Sequence, residues 1–275
     1  MGGAGLATGC AARRIGEFAR SSTFMKPSLV VDVGNSRIKW GRCADGSASI
    51  AAVASLPPED PEAWQRQFSE WGLGRGETWV VSGVHPKRRD QLIEWLRERS
   101  GAVYLIDETA QLPLEVGLAK PRAVGIDRLL AAVAGNSRRR AGVPAVIIDA
   151  GSAVTVDWLD ANGTFRGGAI FPGFRLMAQS LHDYTALLPQ VQISHTMPPL
   201  PGTSTAAAME AGIFWSVAGG INAAVAQLAA LSDASPDLWI TGGDGALLQP
   251  AIDGRAHVWP EMTLEGLRLT AEALP

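Results

Sequence analysis

Four short segments carry residue types suited to handling phosphate groups. The first, Asp32-Val33-Gly34-Asn35-Ser36-Arg37-Ile38-Lys39, begins where a β-branched run ends. Gly34 lets the chain approach a ligand closely, and successive backbone N–H groups in such a turn form an anion cradle. Asn35 and Ser36 add side-chain donors, Lys39 a positive charge for phosphate oxygens, and Asp32 a carboxylate able to hold a hydrated Mg²⁺. The second segment, Asp149-Ala150-Gly151-Ser152-Ala153-Val154-Thr155, repeats the plan, and Ser152 stands where it can contact phosphate. The third, Thr241-Gly242-Gly243-Asp244, follows an apolar run, and its paired glycines allow close passage of a nucleotide. The fourth, Gly125-Ile126-Asp127-Arg128, opens an apolar helix. Its carboxylate can accept a proton from an attacking hydroxyl, and its guanidinium can grip an anion. Taken singly, each segment also suits an ordinary hairpin turn, strand end or helix start. Their order along the chain carries the functional reading. A Walker A phosphate loop is excluded, because no Gly-Lys-Ser/Thr run occurs.

The elements that must position these groups follow from hydrophobic periodicity. Strands are expected at 28–33, 37–42, 47–55, 79–84 and 103–106, with helices at 61–71, capped by Asp60, and at 88–99. A helix at 126–137 follows, and then the pattern restarts with strands at 145–148, 154–159 and 165–171. Residues 187–204 hold several prolines and read as an ordered loop or lid. A long Ala-rich helix over 206–231 is expected to break near Gly219-Gly220, before a last strand at 238–241. Strand, Asp, glycine turn and returning strand therefore occur twice, at Asp32 and at Asp149. The implied architecture is α/β, of α+β type, with two similar halves, 26–141 and 142–275, facing each other across a cleft.

The three phosphate-type elements, in this order, resemble the phosphate 1, phosphate 2 and adenosine motifs of the acetate kinase, sugar kinase, Hsp70 and actin superfamily. That resemblance implies a duplicated ribonuclease H-like fold. Within it the chain resembles the type III pantothenate kinases. Their Asp-x-Gly-Asn-Thr/Ser-x-x-Lys stands at Asp32 to Lys39, their Gly-x-Asp-Arg at Gly125 to Arg128, and their Asp-Ala-Gly-Thr-Ala-x-Thr-x-Asp at Asp149 to Asp157. Gly167-Gly168-Ala169-Ile170-Phe171-Pro172-Gly173, Thr205 with Met209 and Gly212, Thr241 to Asp244, and Leu264-Glu265-Gly266-Leu267 match further family elements. The resemblance runs from Ser28 onward. It implies ATP-dependent phosphorylation of the 4′-hydroxyl of pantothenate, the first step toward coenzyme A. It further implies Asp127 as proton acceptor and Arg128 as the grip on the substrate carboxylate, with Gly125, Ile126, Leu118 and Thr205 in the pantothenate site. Asp32, Val33, Gly34, Asn35, Ser36, Arg37, Ile38, Lys39 and Ser152 would contact ATP. Asp149 would hold a monovalent cation, K⁺ or NH₄⁺, and Asp32 would hold Mg²⁺ through water. Members are usually homodimers with the pocket completed at the interface, so the helix after Thr205 is expected to offer a partner an apolar face. Ser36 and Ser152 replace Thr and keep the hydroxyl. Leu118 stands where the family often has Tyr, and an aliphatic side chain supplies no phenolic hydroxyl.

Two other readings fit these residues: a kinase of the same superfamily acting on another small hydroxylated acid or sugar, and a nucleotide-binding transcriptional accessory factor with little catalysis. Against the second stand Asp32, Lys39, Asp127, Arg128 and Asp149, which a pure regulator has no chemical need to keep together. The composition, 47% hydrophobic and 19% charged with net charge -3, is that of a soluble globular protein without an electrostatic drive toward nucleic acid. No uninterrupted apolar run reads as long enough to cross a bilayer. Two cysteines, Cys10 and Cys43, are too few for a disulfide framework, which fits a cytoplasmic setting. The four histidines show no metal-ligand spacing, and the nine tryptophans read as core. Residues 1–25, rich in Gly, Ala and Ser, lack the apolar stretch of a signal peptide despite Arg13-Arg14. They read as a disordered extension, with Met25 as the functional start.

Overall fold

The computed structural model describes residues 25–44, 49–252 and 256–274, so most of the N-terminal extension lies outside the described residues. In the first half, β1 (Leu29–Val33), β2 (Ile38–Cys43) and β3 (Ile50–Leu56) form an antiparallel meander. Helix α1 (Pro61–Glu70) leads to β4 (Thr78–Gly83), and α2 (Pro86–Arg97) to β5 (Ala102–Leu105). The sheet order is β3-β2-β1-β4-β5, with β4 and β5 parallel to β1. Helix α3 (Ile126–Arg138) then crosses to the second half. There β6 (Ala145–Ala150), β7 (Ala153–Leu159) and β8 (Phe165–Pro172) form a second meander. It is followed by α4 (Phe174–Asp183), α5 (Thr205–Ala229), β9 (Asp237–Thr241), the short α6 (Gly245–Leu248), β10 (His257–Val258) and α7 (Met262–Ala273). The second order, β10-β9-β6-β7-β8, mirrors the first element for element. The duplication expected from Asp32 and Asp149 is thus a duplication of topology.

Alternation along the strands explains the layering. Leu29, Val31 and Val33 face outward onto α1 and α2, while Val30 faces inward. In the second sheet Ile147 faces inward, and Val146 and Ile148 face outward onto α4 and α5. Between the sheets lie α3 and α7, so both halves share one central core. The approach of these helices is close: a Cβ on Gly266 would sit 1.8 Å from the Leu130 carbonyl oxygen. Only glycine fits there. Five of the tryptophans belong to the outer layer of the first half, where Trp40, Trp79, Trp64, Trp71 and Trp95 interlock with Phe68. Trp40, Trp64, Trp79, Trp158 and Trp259 are buried, as a core reading requires, whereas Trp215 is exposed and departs from it.

Asp60 caps α1 by accepting from the Ala63 N–H at 2.9 Å. The expected break at Gly219-Gly220 does not occur, and α5 runs unbroken for 25 residues. Each interior glycine costs a helix about 1 kcal/mol, and the buried face of Ile213, Phe214, Val217, Ile221 and Val225 outweighs that cost. This helix also corrects the reading of apolar runs, because by length and composition it could span a membrane. Its buried face packs instead on the second sheet. Residues 187–204 contain no helix or strand and are strapped down. Ser194 N–H donates to Glu210 at 2.7 Å, and Trp215 Nε1 donates to the Pro198 carbonyl at 3.3 Å.

Candidate active site

The two glycine hairpins meet across the cleft. Gly34 N–H closes the first by donating to Arg37 O at 3.0 Å, and Gly151 N–H closes the second by donating to Ala153 O at 3.1 Å. The Ser36 and Ser152 hydroxyls lie 2.7 Å apart. The third element joins them: Asp244 N–H donates to Ala150 O at 3.0 Å. Gly242, at φ +90°, lies so close to Ala150 that a Cβ would sit 2.4 Å from its carbonyl. In the first half Gly83 occupies the matching place, where a Cβ would sit 2.4 Å from Val33 O. Arg88 of α2 steadies the first turn by donating to the Asn35 carbonyl and to Glu59.

Register places the charges. Asp32 lies opposite Lys39 and beside Ser82, while Asp149 lies opposite Thr155 and beside Thr241. Burial pushes Asp32 up to about 7, partly offset by Lys39 and reinforced by Asp127 and Asp149. Burial likewise pushes Asp149 up to about 6, with Lys39 pulling down and Asp127 and Asp157 pushing up. Lys39 thus faces carboxylates of both halves. Asp127, in the first turn of α3, is also raised by burial, although its Oδ1 accepts from the Arg128 N–H at 2.8 Å. Gly125, two residues before it, leaves room for the carboxylate as placed, since a Cβ there would lie 2.6 Å from Asp127 Oδ1.

Asp157 is a site residue that sequence reasoning left without a role, although it ends the second phosphate motif. It is fully buried and pairs with Arg128, whose Nε lies 3.1 Å from Oδ2 and whose Nη2 donates to Oδ1. The pair fixes the guanidinium 5.8 Å from the centre of the Phe165 ring. Gly168, opposite Asp157 in the sheet, leaves room for the carboxylate, because a Cβ there would lie 2.7 Å from Oδ1. Gly167, at φ +89°, lies beside Leu118, whose Cδ2 would be 3.5 Å from a Cβ there. Thr205 lines an apolar cavity of about 760 Å³ between α4 and α5, together with Pro172, Met177 and Met209. Asp127, Arg128 and Leu118 do not line that cavity.

One observation bears on cations. Asp32 Oδ1 is buried and accepts no hydrogen bond. A buried carboxylate oxygen without a partner is costly, and a cation would supply the missing one. Among the described residues no group of three or more His, Cys, Asp or Glu could form an all-protein metal cage. A cation held by one or two carboxylates plus water and phosphate fits this pattern.

A family model described as type III pantothenate kinase matches residues 28–227. The type III pantothenate kinase of Alkalilimnicola ehrlichii is 33% identical over 242 residues, covering 87% of this chain and 95% of that one. The one from Caulobacter vibrioides is 37% identical over 253 residues, with 87% and 94% covered. Two solved structures share the fold. A Campylobacter jejuni protein described as a Baf family transcriptional activator has TM-score 0.57 at 21% identity, covering 88% of this chain and 96% of that one. The activator of 2-hydroxyisocaproyl-CoA dehydratase from Clostridium difficile has TM-score 0.51 at 15% identity, covering 89% and 94%. With its duplicated ribonuclease H-like fold and its family motifs assembled around one cleft, the chain belongs to the type III pantothenate kinase family.

Proposed function

We propose that this chain transfers the γ-phosphoryl group of ATP to the 4′-hydroxyl of pantothenate, giving 4′-phosphopantothenate and ADP, the first step toward coenzyme A. The carrying observation is the meeting of two phosphate hairpins at Ser36 and Ser152, with Asp127 electrostatically coupled to the aspartates of both. Phosphoryl transfer needs in-line positioning and neutralisation of charge on the transferred group. Asp127 accepts the hydroxyl proton, and burial raises its pKa, which makes it a stronger base. Arg128, oriented by Asp157, grips the substrate carboxylate, and Leu118 forms an aliphatic wall beside it. The N–H groups of the two turns, the serine hydroxyls and Lys39 hold the phosphates.

Asp32 would hold Mg²⁺ through water, and Asp149 a monovalent cation such as K⁺ or NH₄⁺. When bound, these cations supply positive charge that neutralises the phosphates. The cavity at Thr205 and the exposed Trp215 and Leu176 nearby favour a homodimer that completes the substrate pocket, and the low cysteine count favours the cytoplasm as its place of work.

The test is product formation from pantothenate, ATP and Mg²⁺, with and without K⁺, followed by mass spectrometry. The expected result is K⁺-dependent 4′-phosphopantothenate and equimolar ADP. ATP turnover with another hydroxy acid and none with pantothenate would overturn the substrate assignment.

A further inference from the structure

A cation at the start of α4 has no part in the chemistry described so far. Arg175 Nη2 donates to Ser36 Oγ at 2.5 Å and lies 3.4 Å from Ser152 Oγ. Those hydroxyls belong to different halves and lie 2.7 Å apart, so Arg175 reaches both hairpin turns at the point where they meet. The base of Arg175 is locked to the second hairpin. Gly173 N–H donates to Ser152 O at 3.2 Å, and a Cβ on Gly173 would lie 2.4 Å from Gly151 O. Phe174, the next residue, is buried and stacks on Phe214 with ring centres 5.8 Å apart. Helix α4 therefore cannot shift without moving the phosphate turn.

Beyond that anchored base the Arg175 side chain is exposed, and no carboxylate reaches it within ion-pair distance among the described residues. Asp244, of the third element, is near enough to feel its charge. A guanidinium has five N–H donors in a planar fork, so two hydroxyls leave most of them available for an anion. The second hairpin itself carries no cation at this register, because Thr155 stands where the first hairpin has Lys39.

We propose that Arg175 is a phosphate-binding residue that bridges the two hairpins, exchanging the serine hydroxyls for the terminal phosphates of the nucleotide as ATP arrives. It is the second half's counterpart of Lys39. The proposal rests on the phosphoryl-transfer reading above.

The test compares Arg175→Gln and Arg175→Lys with the unaltered enzyme in three measurements: dissociation constants for ATP and for AMP, kcat/KM for ATP, and KM for pantothenate. A charge-assisted hydrogen bond lost from a phosphate weakens binding about tenfold to a hundredfold, and that is the loss expected for ATP in Arg175→Gln. AMP, which lacks the terminal phosphates, should bind both variants as it binds the unaltered enzyme, and KM for pantothenate should hold. Arg175→Lys should recover part of the loss, since it restores charge without the fork. Unchanged ATP affinity in Arg175→Gln would overturn the proposal. Equal losses for ATP and AMP would do so too, because they would mark a merely structural role. Failure of the unaltered enzyme to bind ATP would overturn the phosphoryl-transfer reading itself, an outcome distinct from the other two.

Discussion

The two hairpins share one topology and divide the labour of a phosphate site. Around Asp32 the charge is local: Lys39 lies directly across the ladder, and Asp32 Oδ1 is sealed without a donor. Around Asp149 the charge comes from outside the hairpin. Thr155 faces Asp149, Asp157 is spent on Arg128, and the cations that serve this turn are Arg175 of α4 and Lys39 of the other hairpin. Duplication supplied two equivalent backbone cradles. Different side chains then give the first cradle a cation of its own, Lys39, while the second draws on Arg175 of α4 and, through Asp157, holds Arg128 in place.

Removing the first half's cation should break this division most severely. Lys39→Met takes a charge from the phosphates and from both aspartates, so kcat/KM for ATP should fall about a hundredfold in steady-state assays. Asp32→Asn should separate function from stability. The folded-state pKa of Asp32 is raised from 3.8 to about 7, so the folded protein binds the extra proton and loses stability as pH rises from about 4 to about 7. At pH 8 the nucleotide-free Asn variant should therefore be more stable than the parent by about 1–3 kcal/mol in denaturant unfolding, while being much less active. The same groups set an acid limb. In the free enzyme, kcat/KM should decline as pH falls through about 7 and more steeply below about 6, as Asp32 and then Asp149 take up protons. The smallest effects belong to the hydroxyls. Ser36→Ala or Ser152→Ala each removes one neutral hydrogen bond, worth about 0.5–1.5 kcal/mol, and should raise KM for ATP only a few-fold.

Much of this was legible in the residues themselves. The β-branched run before Asp32 and its echo before Asp149 are buried strands on both faces, which announce themselves by composition. The glycine turns, the Asp60 cap and the start of α3 follow from local chemistry. Helix α7 was not read as a helix, for a physical reason. It is buried on nearly every side between the two sheets, and its charged stripe of Glu265, Arg268 and Glu272 is paired within itself, so the helix lacks the solvated polar face of an ordinary amphipathic helix. Helix α4 follows directly on Pro172-Gly173, where a strand end was expected, and Arg175 went unseen with it. Asp157 was visible as the end of a motif. Its partnership with Arg128 joins two residues 29 apart in sequence, which only the folded chain brings together. Thr205 shows the converse: its place at a helix start is local, but the cavity it lines with α4 exists only in the folded chain.

The most direct test of the account is Asp127→Asn, with pantothenate phosphorylation and ATP affinity measured on the same preparation. A general base contributes about 10²–10⁴-fold, so kcat should fall by that factor while the ATP dissociation constant stays put. Unchanged turnover in that variant would contradict the assignment of Asp127 as the group that takes the proton.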